Sequence, residues 1–186
     1  VVPTLKDVAI QSDIIVYDEK LNILQRTPTY NAELEIADFL KNKVKYNDVL
    51  NWDWQSYTNI KDGTLTEEQR NVLKVFCESN VVILDAPSGT GKTSATQALI
   101  TMLEDNDLTY TLIAPTGIAA KVLSETTGRK AGTIHRTIGT SGSIDTDILI
   151  LDEISMCGIS HMSMVCPALS EYTKLVMIGD DAQLAS

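Results

Sequence analysis

Four short apolar runs constrain this chain more than any other feature: "VVIL" (81–84), "YTLIA" (110–114), "ILILD" (148–152) and "LVMIGD" (175–180). None alternates with polar residues, so each reads as a strand covered on both faces, which requires a parallel sheet between layers of helices. The segments "KTSATQALITMLED" (92–105) and "IAAKVLSET" (118–126) have the length and composition of the connecting helices. The expected fold class is α/β, a doubly wound parallel sheet whose ligands gather where its strands end.

Residues 1–62 read differently, as an N-terminal accessory region of mixed α/β or mainly helical character, with residues 63–186 forming the sheet domain. "DIIVYDE" predicts a short strand, and "YNAELEIADFLKNKVK" an amphipathic helix with Leu34, Ala37, Leu40 and Val44 turned inward. Lys41, Lys43 and Lys45 at its C-terminal end complement the helix dipole more simply than they make a nucleic-acid patch. Trp52, Trp54 and Tyr57 read as packing residues before they read as a stacking platform for bases. "KDGT" (61–64) reads as a linker.

Composition removes several classes of function. With 186 residues, 44% hydrophobic and a formal net charge of −10, the chain is an ordinary globular one and a poor nonspecific coat for nucleic acid, although a local binding track is compatible with that sum. Three cysteines without a CxxC pair, and His135 and His161 as the two histidines, speak against a disulfide framework, a zinc knuckle or a histidine metal site. Without a membrane-length apolar stretch or a signal peptide, the expectation is a soluble, cytoplasmic chain with no membrane partner. Its start at Val1 reads as a piece of something longer. Nothing in the sequence addresses oligomeric state.

The chemistry concentrates in "DAPSGTGKTSA" (85–95), directly after the first apolar run. A phosphate loop needs GxxxxGK[ST] between strand and helix: inward amides hold phosphate oxygens, a lysine spans the outer phosphates, and a hydroxyl ligates Mg²⁺. Residues 86–93 match at Gly91, Lys92 and Thr93, while Ala86 stands where the pattern has its first glycine, a mild departure if φ there is negative. Pro87, Ser88, Gly89, Thr90 and Ser94 complete the cradle for ATP. Further on, "ILILDEIS" ends a strand in two acids, with Asp152 placed to hold Mg²⁺ and Glu153 to polarise an attacking water. Gln69, three residues after Thr66, is read first as half of a capping box and second as an amide for the edge of adenine.

Taken together these segments resemble the first motor domain of superfamily-one helicases, most closely the RecD-like group. "APSGTGKT" looks like motif I, "APTGIAAKVLSE" (114–125) like motif Ia, "GTIHRTIG" (132–139) like the segment after it, "LDEISM" (151–156) like motif II and "IGDDAQL" (178–184) like motif III. "ILQRTPTYNAELEIADFL" is similar, more loosely, to the region preceding the motor in longer members. The resemblance implies a RecA-like P-loop domain and an ATP- and Mg²⁺-dependent motor moving 5′-to-3′ on single-stranded DNA, with recombination or replication proteins as partners. It implies that Gln69 contacts adenine, that Lys92 and Thr93 meet the phosphates and metal, and that Asp152 and Glu153 serve metal and water. Gln183, with Asp180 nearby, would sense the γ-phosphate, and Thr116, Thr133 and His135 would face the DNA backbone.

Two departures qualify that expectation. Where RecD-like motors carry a strand-separating hairpin, this chain has "TSGSIDTD" (140–147), enough for a turn and too short for a projecting pin. The sequence also ends at Ser186, just past motif III, before the second RecA-like domain and arginines that the resemblance implies, so weak nucleotide binding with slow turnover is the expectation for residues 1–186 alone. The competing readings are a different P-loop ATPase, such as a clamp-loader-like or signalling switch, and a nucleotide-gated binding module that does not hydrolyse.

Overall fold

The computed structural model describes residues 14–45, 48–60, 63–87, 89 and 91–180. An antiparallel hairpin, β1 (Ile15–Asp18) with β2 (Ile23–Arg26), leads into the long helix α1 (Thr27–Lys45). A second small hairpin pairs β3 (Asn59–Ile60) with β4 (Gly63–Thr64), so half of the segment expected as a linker is strand, and Lys61 and Asp62 lie outside the described residues. From there helices and strands alternate: α2 (Glu67–Glu78), β5 (Val81–Asp85), α3 (Lys92–Asp105), β6 (Tyr110–Ala114) and α4 (Gly117–Thr127). They continue with β7 (Ala131–Thr133), α5 (Ile134–Ile138), β8 (Ile148–Leu151), α6 (Ile159–Ala168) and β9 (Lys174–Gly179).

Strands β5 to β9 form one five-stranded sheet in the order β5-β9-β8-β6-β7, parallel at every pairing. The four apolar runs are four of these strands, and β8 and β9 are buried at every position. Their side chains divide by parity, as a pleated strand must. Ile148, Ile150, Val176 and Ile178 join Phe76, Leu99, Met102 and Leu103 in one core layer beneath α2 and α3. Leu149, Leu151, Leu175 and Met177 join Ile134, Ile138 and Val165 in the other, beneath α5 and α6. The run 81–84 departs from the expectation of two covered faces: β5 is an edge strand and its Ile83 is 66% exposed. Truncating a fully buried ring such as Phe76 to alanine is expected to remove about 3–5 kcal/mol.

The N-terminal helix packs against α6, one position rotated from the sequence reading. Leu34 and Val44 are exposed, and the inward stripe is Ile36, Phe39, Leu40 and Lys43, an i, i+3, i+4, i+7 series ending on a lysine. Lys43 is 4% exposed; its Nζ donates to the carbonyls of Ser170 (2.9 Å), Glu171 (3.2 Å) and Thr173, and sits over the Phe39 ring. It therefore serves another part of the chain and not its own helix terminus. The stem of a lysine is apolar enough to share a buried stripe, which is why a polar label misplaced it. Trp52, Trp54 and Tyr57 pack on the first core layer, with Trp52 6.1 Å from the Phe76 ring, in agreement with the packing reading. Among the described residues no helix is long and apolar enough to cross a membrane.

Candidate functional site

Because the five strands are parallel, the loops after β5, β6, β7, β8 and β9 emerge from one edge of the sheet, and almost every predicted site residue lies on them. The phosphate-loop residues follow β5, Thr116 follows β6, Thr133 ends β7, Asp152 and Glu153 follow β8, and Asp180 follows β9. Ser88, Thr90 and Gln183 lie outside the described residues.

The loop enters α3 through Gly91, which has the left-handed φ of 88° that a side chain resists. Gly91 is the N-cap, and no side chain caps the helix behind it. Two other helices at this edge differ: Thr116 accepts from Ala119 N (3.2 Å) at the start of α4, and Thr133 accepts from Arg136 N (3.2 Å) at the start of α5, whereas α6, like α3, starts at a glycine without a side-chain cap. An uncapped helix start keeps its amides and its partial positive charge for an outside anion. Gly89 (φ 83°) is also left-handed, Thr93 is exposed, Pro87 is exposed beside the cleft, and Ser94 faces Gly91. Ala86 is not among the residues with positive φ, so the missing glycine of the motif carries no backbone penalty.

Gln69 realises the capping box and reaches further. Its Oε1 accepts from Thr66 N (2.9 Å), its own N donates to Thr66 Oγ1 (3.3 Å), and its Nε2 donates to the Gly91 carbonyl (3.2 Å). A cleft of about 350 Å³ opens here, lined by Gln69, Val72 and Val75 on one side and by Ile83, Ala86 and Lys92 on the other.

Lys92 Nζ donates to the Gly179 carbonyl at 3.3 Å, and the same oxygen accepts from Ala86 N at 3.2 Å. Gly179 thus ties the loop after β5 to the end of β9. A Cβ there would lie 2.5 Å from Ile154 Cγ2 and 3.3 Å from Ser155 N, so the turn after the two acids rests directly on this glycine. The sequence reading passed over Gly179 as one letter of "IGDDAQL"; only strand pairing, Asp85 opposite Gly179, reveals what it touches.

Asp152 donates its N–H to the Ile113 carbonyl (2.9 Å). Burial pushes its carboxyl pKa up and the Glu153 charge adds to that, while the Glu153 amide and the Lys92 ammonium pull it down. Glu153 holds a left-handed backbone (φ 56°, ψ 45°), a conformation that costs a residue with a side chain about 1–2 kcal/mol and persists where surroundings enforce it. Glu153 Oε2 and Ser155 Oγ are buried without a hydrogen-bond partner among the described residues. Ser155 was not singled out from sequence, since a serine in a turn is unremarkable until its hydroxyl proves to be buried and unmatched. Such atoms are expensive unless something fills the space, and a metal ion with its water shell would suit this acidic pair.

His135 is exposed, and its ring meets that of His161 edge-on with centroids 5.8 Å apart. The two histidines, scattered in sequence, are neighbours in space, yet among the described residues no group of three or more His, Cys, Asp or Glu could hold a metal. Asp180 is buried at the end of β9.

An all-parallel sheet that runs from strand through phosphate loop to an uncapped helix, with paired acids two strands away, defines a RecA-like P-loop nucleoside-triphosphatase domain. Residues 64–186 match the AAA domain family. The chain belongs to that family and is a RecD-like superfamily-one ATPase domain within it. It is 36% identical over 143 residues to the ATP-dependent RecD2 DNA helicase of Deinococcus radiodurans, covering 72% of this chain and 20% of that protein. It is 30% identical over 159 residues to the RecBCD enzyme subunit RecD of Mycolicibacterium smegmatis, covering 67% of this chain and 29% of that one. Among solved structures, one of Pif1 helicases at forked double-stranded DNA matches with a TM-score of 0.50 and 24% identity, over 64% of this chain and 34% of that chain, a likeness of fold. The chain thus spans between a fifth and a third of the length of these two curated relatives.

Proposed function

We propose that this chain is the nucleotide-binding motor domain of an ATP-dependent DNA helicase, with residues 63–186 as the motor and residues 1–62 as an accessory region whose helix α1 packs on it. The observation that carries this reading is the uncapped start of α3 behind left-handed Gly91, placed beside Lys92 and on the same sheet edge as the Asp152–Glu153 pair. ATP would set its phosphates against the amides of Gly89 and of residues 91–94, and the cleft between Gln69, Val72 and Ile83 offers apolar surface and one carboxamide to a purine. With nucleotide in the cradle, the Lys92 ammonium exchanges the Gly179 carbonyl for the outer phosphates.

Thr93 and Asp152 would hold Mg²⁺, which neutralises phosphate charge when bound; the raised pKa of Asp152 and the orphaned oxygen of Glu153 fit that group. Glu153 accepts a proton from the attacking water through that oxygen. Gln183 and Asp180 sit in sequence where the γ-phosphate would be sensed. Because Lys92, Ala86, Ile154 and Ser155 all meet Gly179, a change at the phosphates reaches the strand leading to them through one contact.

Single-stranded DNA would cross the neighbouring loops, where Thr116 and Thr133 keep a hydroxyl proton to donate while their oxygens cap helices, and exposed His135 adds a ring nitrogen. Such groups hold phosphates without reading bases, as a translocating motor needs. The names of the relatives favour this reading over a DNA-independent ATPase or a non-hydrolysing module. The 5′-to-3′ direction and the recombination or replication partners rest on the RecD-like resemblance.

The test is ATP hydrolysis by the full-length protein with and without single-stranded DNA. Stimulation is expected, and it should vanish in Lys92→Ala; a rate indifferent to DNA but raised by a protein partner overturns the helicase assignment.

A further inference from the structure

Gln69 has more to do than meet a base. Its carboxamide is held at both ends: the Thr66 N–H needs an acceptor and finds Oε1, while the Gly91 carbonyl needs a donor and finds Nε2. These two demands also fix which end of the amide is oxygen. Gly91 is the residue on which the phosphate loop turns into α3, and its carbonyl also accepts from Ala95 N (3.2 Å), the first hydrogen bond of that helix. The contact is close enough that a Cβ on Gly91 would lie 2.0 Å from Gln69 Nε2. Glycine at 91 is required by its φ, and a Cβ there would push the Gln69 amide aside.

We propose that Gln69 is a positioning residue for the phosphate loop: anchored on the start of α2, it holds the Gly91 peptide so that the uncapped amides of α3 face the phosphates, independently of any base. Only a carboxamide serves both partners. Glutamate keeps the acceptor for Thr66 N and loses the donor to Gly91; leucine loses both. Replacing Thr66 by alanine removes the hydroxyl half of the capping box but leaves the backbone N–H that orients Gln69. The inference rests on the nucleotide-binding reading of this site and deepens it, because it ties the residue nearest the purine cleft to the grip on the phosphates.

The experiment uses Gln69→Glu, Gln69→Leu and Thr66→Ala, with two readouts in which neither DNA nor hydrolysis takes part. Hydrogen exchange on the ligand-free protein should speed up about fivefold at the Ala95 and Thr96 amides in both Gln69 variants and stay at the wild-type rate in Thr66→Ala. Gln69→Glu preserves the helix start, so a general loss of folding does not account for the change. In the second readout Gln69→Leu should bind magnesium tripolyphosphate, which has no base, roughly five- to tenfold more weakly than wild type. Wild-type exchange in either Gln69 variant overturns the proposal. So does undiminished tripolyphosphate binding by Gln69→Leu with ATP binding lost, which would make Gln69 a base contact alone. Neither failure touches the helicase assignment, which stands or falls on DNA-stimulated hydrolysis.

Discussion

At the edge of the sheet where its strands begin, polar groups find partners within the chain; at the edge where they finish, several do not. Lys174 is the counterpart of Lys43: its Nζ donates to the carbonyls of Asp48 (2.9 Å), Ser79 (3.3 Å) and Phe76 (3.4 Å), closing the C-terminal end of α2. Asp147 Oδ2 accepts from the amide (2.8 Å) and hydroxyl (2.6 Å) of Thr109, and Arg129 grips Glu104 through Nε (2.6 Å) and Nη2 (2.8 Å). Asn80 Oδ1 is the exception on this side. On the far edge stand the uncapped helix, the orphaned oxygens of Glu153 and Ser155, and the left-handed Glu153. The closed edge builds stability, and the open one keeps its polarity for a ligand.

The comparison predicts that mutations at the open edge abolish chemistry with little effect on folding, while those at the closed edge do the reverse. Lys92→Ala should lower ATP turnover by the full-length protein at least about 100-fold, while thermal unfolding stays close to wild type, since the lysine's contact is one carbonyl. Glu153→Gln should slow hydrolysis by about 10²–10⁴-fold and spare nucleotide binding; equal turnover removes Glu153 from the role of base.

Lys43→Ala should destabilise the chain by about 2–3 kcal/mol in denaturant unfolding, because three carbonyls lose a charged donor, with turnover per folded molecule unchanged. Gly179→Ala tests the seam between the loop after β5 and the end of β9, both on the open edge. Its Cβ meets Ile154 and the Ser155 backbone, so about 1–3 kcal/mol of stability and part of the turnover should go together; loss of one alone would uncouple them.

The smallest effect is in acid. Hydrogen bonds from Arg129 and Tyr110 lower the Glu104 pKa from 4.5 to about 2. A depressed carboxylate pKa contributes stability above its unfolded value, so this share is present above about pH 4.5 and is lost as pH falls towards 2. Glu104→Gln should flatten that part of a melting-temperature profile, modestly, because the pair is solvent-screened.

Much of the architecture was legible because an unalternating apolar run announces a strand of a parallel sheet, and four of the five sheet strands carry one; burial on both faces holds throughout β8 and β9 but fails at edge strand β5, where Ile83 is exposed. The fifth, "AGT" at β7, is too short and too small to signal, and it was read only as the approach to "TIHR". Lys43 and Lys174 were misjudged or missed because a lysine carries the same letter whether it points to water or to a ring of carbonyls. For Gln69 the capping signature is local and readable, whereas its hold on Gly91 spans 22 positions and has no local trace.

By itself the order of residues determined that this chain builds a parallel sheet, that a glycine-rich turn with one lysine follows its first strand, and that two acids end a later one. Those are matters of local pattern: burial on two faces, backbone freedom at glycine, and charge at a strand terminus. Which groups share an oxygen at Gly179, what the glutamine of α2 holds at Gly91, and which lysines are buried were decided by tertiary structure. Each of these depends on distances between segments far apart in the chain, and such distances exist only once the sheet has closed between its two layers.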